Sequence, residues 1–175
     1  MTRKRSSAAL IIFTKSEIQG TVKTRMAPPL SKPECLQLHR ALVEYTLEPF
    51  SAIKAKKIDK YLCVSKSLIG GSFPTSSGSR AAGFKSETQQ GPDLGSRLAN
   101  ALNQKLDAGY RYVVLVGTDC PGLGQGHVLQ GISLLPEYDL VVGPATDGGF
   151  YLAGFSGPWD SILHGINWGT NRVLE

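Results

Sequence analysis

The chain carries three cysteines in 175 residues, Cys35, Cys63 and Cys120, widely spaced and without a C-x-x-C pair. That scarcity excludes a disulfide framework and a structural zinc site. Three histidines, His39, His127 and His164, lie scattered along it, with neither H-x-x-x-H spacing nor a triad setting, and are read as structural. G-x-S-x-G, Walker A and G-x-G-x-x-G sequences are all missing. Long apolar runs are missing too. Ala8-Ala9-Leu10-Ile11-Ile12-Phe13 ends after six residues at Thr14-Lys15, shorter than the apolar core of a signal peptide and far short of the ~20 residues of a membrane span. A cytoplasmic protein is expected. Lys and Arg exceed Asp and Glu by 19 to 14, for a net charge of +5, and three of the positives fall at Arg3, Lys4 and Arg5. No basic stripe interleaves with aromatics, which argues against nucleic acid and for small anionic ligands.

The remainder reads as one domain over residues 1–175, with a polar tail at 1–7. Ala8–Thr14 is a continuous apolar run, as expected of a strand buried on both faces of a parallel sheet. Ser31-Lys32-Pro33-Glu34 has capping-box spacing and opens a helix to about Phe50, with Cys35, Leu38, Leu42 and Tyr45 as its apolar stripe. Tyr61–Val64 is a short strand. Residues 65–91 hold seven Ser and five Gly and read as a long loop with space for one short strand. Leu94, Leu98, Ala101, Leu102 and Leu106 mark a second helix ended by Gly109. Tyr112–Val116 is the strongest buried strand; a helix over 125–135 and strands at Leu140–Val142 and Phe150–Phe155 complete the series. Alternation of strands with helices implies an α/β fold with a mostly parallel sheet covered on both faces. In such sheets the ligand crevice lies beyond the carboxyl ends of the strands.

The chemistry-bearing residues follow the strands. Lys23 and Arg25, two apart in the loop after the first strand, suit phosphate: Arg as a fork, Lys as a point charge. A solvated basic loop is the alternative. Asp119, after the strongest strand, either caps the next helix or holds a divalent cation, for which one or two carboxylates suffice when phosphates and water complete the shell. Asp147, in Asp147-Gly148-Gly149, is either the corner of a β-turn or a second metal ligand at the same edge. Asp93 suits a helix N-cap. Gln90 and the helix-start amides suit a nucleobase or a phosphate. Trp168 reads equally as core plug or substrate wall.

Five segments together carry a resemblance along nearly the whole chain: Lys23–Leu30, Gln90-Gly91 with Asp93-Leu94-Gly95, Gly117–Gly122, Gly143–Leu152 and Trp168-Gly169-Thr170. They resemble the uncharacterised glycosyltransferase-like (selenodomain-associated transferase) family of the nucleotide-diphospho-sugar transferase superfamily. More distantly they are similar to phospholactate and molybdenum-cofactor guanylyltransferases. The resemblance implies a GT-A-like three-layer α/β/α sandwich. It implies a nucleotide bound by Thr14, Lys15, Gly20, Lys23, Arg25, Gln90, Gly91, Asp93 and Thr118. It further implies Mg²⁺ or Mn²⁺ on Asp119 and Asp147, and an acceptor side formed by Asp147, Gly148, Gly149, Trp168 and Thr170. The expected activity is transfer of a nucleotidyl or glycosyl group from a nucleoside triphosphate or nucleotide sugar to a small-molecule acceptor, with Asp119, Lys23 and Arg25 as catalytic residues. A non-catalytic nucleotide-binding or sensor domain is the alternative.

Overall fold

The structure is a computed structural model that describes residues 7–53, 58–65, 83–158 and 160–174. The basic tail lies outside the described residues except for Ser7. Strand β1 (Ala8–Thr14) is buried along its whole length, as its unbroken apolar sequence requires. Helix α1 (Lys32–Ser51) begins at the expected capping box, in which the Ser31 hydroxyl accepts from the Glu34 amide and the Glu34 carboxylate accepts from the Ser31 amide. Strands β2 (Ile58–Val64) and β3 (Phe84–Thr88) follow, then helix α2 (Leu94–Asp107), strand β4 (Tyr112–Gly117), helix α3 (Gln125–Leu134) and strands β5 (Leu140–Pro144) and β6 (Phe150–Phe155). Strand β3 occupies the end of the stretch expected to be mainly loop; 66–82 lie outside the described residues.

The six strands form one sheet in the order β3-β2-β1-β4-β6-β5. All pairings are parallel except those of β6, which runs antiparallel to β4 and β5. One face packs Leu10, Ile12, Val114 and Val116 against Val43, Leu47 and Phe50 of α1 and Val128 of α3. The other packs Ile11, Phe13, Val113 and Leu115 against Leu98 and Leu102 of α2, with Leu163 from the C-terminal segment. The result is the expected three-layer sandwich.

One helix face differs from the expected stripe. Tyr45 is 57% exposed, and α1 buries Cys35, His39, Val43, Thr46, Leu47 and Phe50. The inward face is thus turned by about one residue. Two polar residues are tolerated on it because both are bonded: the Thr46 hydroxyl donates to the Leu42 carbonyl at 2.9 Å, and His39 Nε2 lies 3.0 Å from the Lys15 carbonyl. A carbonyl only accepts, so Nε2 carries the proton. Leu94 of α2, also expected on an inward face, is 42% exposed.

Strand register fixes where the loops emerge. Thr14 pairs with Val64, Val64 with Thr88 and Phe13 with Gly117. Because β6 is reversed, its first residue, Phe150, sits beside Pro144 at the end of β5. The loops after β1, β3 and β4 and the turn joining β5 to β6 therefore share one edge of the sheet.

Candidate functional site

At that edge the loop after β1 folds back across the end of β4. Its backbone is anchored from below: His39 holds the Lys15 carbonyl, and the Ser16 amide donates to the Ser65 hydroxyl at 3.0 Å. Arg40 Nε donates to Glu17 Oε2 at 2.7 Å. Beyond the turn at Gly20 (φ 82), Lys23 adopts a left-handed backbone (φ 50), alone among the described non-glycine residues. This conformation costs an L-residue roughly 1–2 kcal/mol, and here it aims the lysine at the next loop. Lys23 Nζ donates to Asp119 Oδ1, making an ion pair between residues 96 apart in sequence. The Asp119 side chain is 74% exposed and the Lys23 side chain 13%. A mostly solvated carboxylate thus meets a mostly covered ammonium at the mouth of the sheet.

Thr14 and Thr118, expected to touch nucleotide, are buried, and their hydroxyls face one another at 3.3 Å. They join the ends of β1 and β4. Lys15 is exposed. Gln90 is exposed, whereas its neighbour Gln89 turns inward and its Nε2 donates to the carbonyls of Thr14 and Cys63, each at 3.0 Å. Gln89, Glu17, Arg40 and His39 are the site-shaping residues that the sequence did not single out. Alternation along β3 continued to Gln89 is the one signal that could have marked it.

Gly91 (φ 137) packs so closely on α2 that a Cβ there would lie 2.9 Å from the Ser96 Cβ. Its carbonyl accepts from Arg97 Nε at 2.9 Å. Asp93 is the N-cap of α2, accepting from the Ser96 amide and hydroxyl at 2.8 Å each. These bonds, the backbone one first, hold its carboxyl below the ordinary range.

The C-terminal segment runs over the rim. Trp168 stands edge-on to Phe150, with ring centroids 5.9 Å apart, and its Nε1 would be 2.6 Å from a Cβ at Gly95. Arg25 is exposed, and its Nη2 donates to the Gly169 carbonyl at 3.2 Å. The Leu174 amide donates to the Gly148 carbonyl at 3.2 Å. Thr170, expected on the acceptor side, donates to the Asn167 carbonyl at 2.7 Å and accepts from the Arg172 amide at 3.2 Å, with turns following. A cleft of about 450 Å³ lies between this segment and the start of α2, lined by Asp93, Ser96, His164, Asn167, Trp168 and Thr170 among others. His164, read as structural, is thus exposed at a cleft wall.

Asp147 is exposed and shares the sheet edge with Asp119, but its Oδ1 accepts from the Gly149 amide at 3.1 Å, the bond of an Asx turn. Gly148 (φ 82) and Gly149 complete that turn. Among the described residues no group of three or more His, Cys, Asp and Glu side chains could hold a metal ion. Asp119 and Asp147, the two carboxylates expected to bind a cation, each have one oxygen already engaged, by Lys23 and by the Gly149 amide.

A family model described as "uncharacterized protein conserved in bacteria" (DUF2064) matches residues 46–170. The chain belongs to the DUF2064 family. This DUF2064 chain is also similar to a candidate nucleotide-diphospho-sugar transferase from Desulfovibrio desulfuricans, at 29% identity and a TM-score of 0.80, over 96% of this chain and 72% of that one. A cytidylyltransferase from Leptospira borgpetersenii shares the fold, with a TM-score of 0.54 at 14% identity, over 91% of this chain and 63% of that one. A 4-diphosphocytidyl-2C-methyl-D-erythritol synthase from Anaerococcus prevotii shares it as well, with a TM-score of 0.51 at 14% identity, over 81% of this chain and 56% of that one. No curated protein matches the DUF2064 chain. No helix among its described residues is long and apolar enough to cross a membrane.

Proposed function

We propose that this chain is a metal-dependent transferase that takes a nucleoside triphosphate or nucleotide sugar as donor and passes a nucleotidyl or glycosyl group to a small acceptor. The observation that carries this reading is the ion pair of Lys23 and Asp119 at the carboxyl edge of the sheet, with Arg25 on the same loop. Structural likeness to a candidate nucleotide-diphospho-sugar transferase and to cytidylyltransferases supports it.

Mg²⁺ or Mn²⁺ fits the donor set in kind. Both are hard ions that take carboxylate oxygen and leave the rest of the shell to phosphate and water. Asp119 is the residue that would hold the ion, with Asp147 as a second carboxylate at the same edge. When bound, the ion supplies charge neutralisation on the donor phosphates. The chain's own residues do the rest. Lys23 exchanges its carboxylate partner for a donor phosphate oxygen. Arg25 releases a single carbonyl bond and forks onto phosphate, where a charge-assisted pair is stronger. The hydrogen bonds of Thr14, Thr118 and Gln89 at the strand ends hold the base of the loop in place. Phosphoryl chemistry of this kind needs positioning and electrostatics more than a protein nucleophile.

Thermal-shift and calorimetric titration with nucleoside triphosphates and nucleotide sugars, with and without Mg²⁺ or Mn²⁺, tests the reading. Metal-dependent nucleotide binding with release of pyrophosphate or nucleoside diphosphate is expected. Binding without turnover in any acceptor mixture would favour the sensor reading, and no binding would refute both.

A further inference from the structure

We propose that the 450 Å³ cleft between α2 and the segment Leu163–Thr170 is the acceptor subsite, and that it takes a neutral polyhydroxylated molecule, a polyol or sugar, rather than a phosphorylated one. This rests on the transferase reading for its purpose but not for its chemistry. The cleft has the size of a small-molecule site. Its wall combines the indole of Trp168, an apolar surface with a negative face that suits the C–H side of a sugar or polyol, with short polar side chains around it.

Those side chains are of mixed donor and acceptor character. Asn167 can donate and accept; the Asp93 carboxylate and the Ser96 and Thr170 hydroxyls, whose protons are already given to Asp93 and to the Asn167 carbonyl, offer their remaining lone pairs. Among the described residues, the side chains of His164 and Asn167 make no hydrogen bond to the protein, and both residues line the cleft, while the indole nitrogen packs against Gly95. Hydroxyl groups, which donate and accept, match such a set.

A second phosphate would not match it. None of the described lining residues is Lys or Arg, and Asp93 contributes a negative charge. The cations that suit phosphate, Lys23 and Arg25, stand on the loop after β1, and Arg25 reaches the Gly169 carbonyl, one residue before Thr170. That contact puts the cleft next to the proposed donor site while leaving the two chemically distinct. Asp93, expected on the nucleotide side, is thereby reassigned to the acceptor side.

The test uses Trp168 emission. The sequence has two tryptophans, so Trp159→Phe leaves Trp168 as the only reporter. Glycerol, ribitol and glucose, and their monophosphates, are titrated into that variant, and nucleotide binding is measured separately by calorimetry. At least one neutral compound is expected to give a saturable change, weakened about two- to tenfold by Asn167→Ala, as losing a neutral hydrogen bond does, and its monophosphate to bind no more tightly. No saturable response to any neutral compound, tighter binding of the monophosphate, or a response indifferent to Asn167→Ala overturns the proposal. A polyol response in a protein that binds no nucleotide keeps the cleft and sinks the transferase reading. Nucleotide binding with no polyol response does the reverse.

Discussion

Replacing Lys23 by glycine separates its structural role from its proposed functional one. In the folded protein Lys23 contributes an ion pair to a carboxylate that is 74% exposed, and such a solvated pair adds about 0–1 kcal/mol. Against that stands the left-handed backbone at φ 50, which costs an L-residue roughly 1–2 kcal/mol and a glycine almost nothing. Glycine loses a further ~0.5–1 kcal/mol through its more disordered unfolded state. These terms nearly cancel, to within about 1 kcal/mol either way. For a chain of this size that is roughly 2–4 °C in Tm. The proposed nucleotide contact does not cancel: a charge-assisted bond to phosphate contributes about 1.5–3 kcal/mol. Lys23→Gly should therefore melt within about 4 °C of the parent, yet bind a nucleoside triphosphate at least about tenfold more weakly. Differential scanning fluorimetry and calorimetry on one preparation read both quantities. A Tm lowered by much more than this, with affinity unchanged, would refute the reasoning and make Lys23 an architectural residue.

Gly148→Ala places a Cβ in a left-handed position, 2.6 Å from the Asn171 carbonyl carbon. It should cost about 2 kcal/mol or more and expose the C-terminal segment, read as a lowered Tm and faster tryptic cleavage at Arg172. Burial holds the His39 imidazole below its ordinary pKa, with the Lys15 carbonyl opposing. The neutral form is thus favoured on folding, and its stabilisation is complete above the unfolded value near 6.5 and declines as pH falls through the lowered folded value. Tm should drop between about pH 7 and 5, with a shallower slope in His39→Gln, which can still donate to the carbonyl; equal slopes would remove His39 from that role. Burial, and then the Glu87 charge, push the Cys63 thiol up to about 12. With Cys35 also buried and Cys120 half-buried, a thiol reagent at pH 8 should label Cys120 first and leave Cys63 intact until unfolding. Early modification of Cys63, read by mass spectrometry, would contradict that burial.

Local signals made much of the fold legible. An unbroken apolar run announced a strand buried on both faces, a capping box announced the start of α1, and Gly109 announced the end of α2, where its φ is 88. Residues whose burial depends on a distant partner were harder to read. His39 looks polar in sequence and is buried because a carbonyl from the loop after β1 meets it. Tyr45 looks apolar and is exposed because the sheet takes the neighbouring face of the helix. At the candidate site, Lys23, Arg25 and Asp119 stood out as charged residues following strands. The pairing of Lys23 with Asp119, and the packing of Asn171 on Gly148, come from chain folding alone. Gln90 drew attention through its motif, whereas Gln89 joins the strand ends, because side chains alternate along β3 and its continuation.

The central claim, that Asp119 and its neighbours form a metal-assisted nucleotide site, is tested most directly by calorimetric titration of a nucleoside triphosphate in Mg²⁺ into the parent protein and into Asp119→Asn. The exchange keeps the shape of a largely solvated side chain, so the folded state should survive it. Measurable binding to the parent is expected, dependent on Mg²⁺ and weakened about tenfold or more in the variant. Equal affinity in the two proteins, with or without the ion, would contradict it.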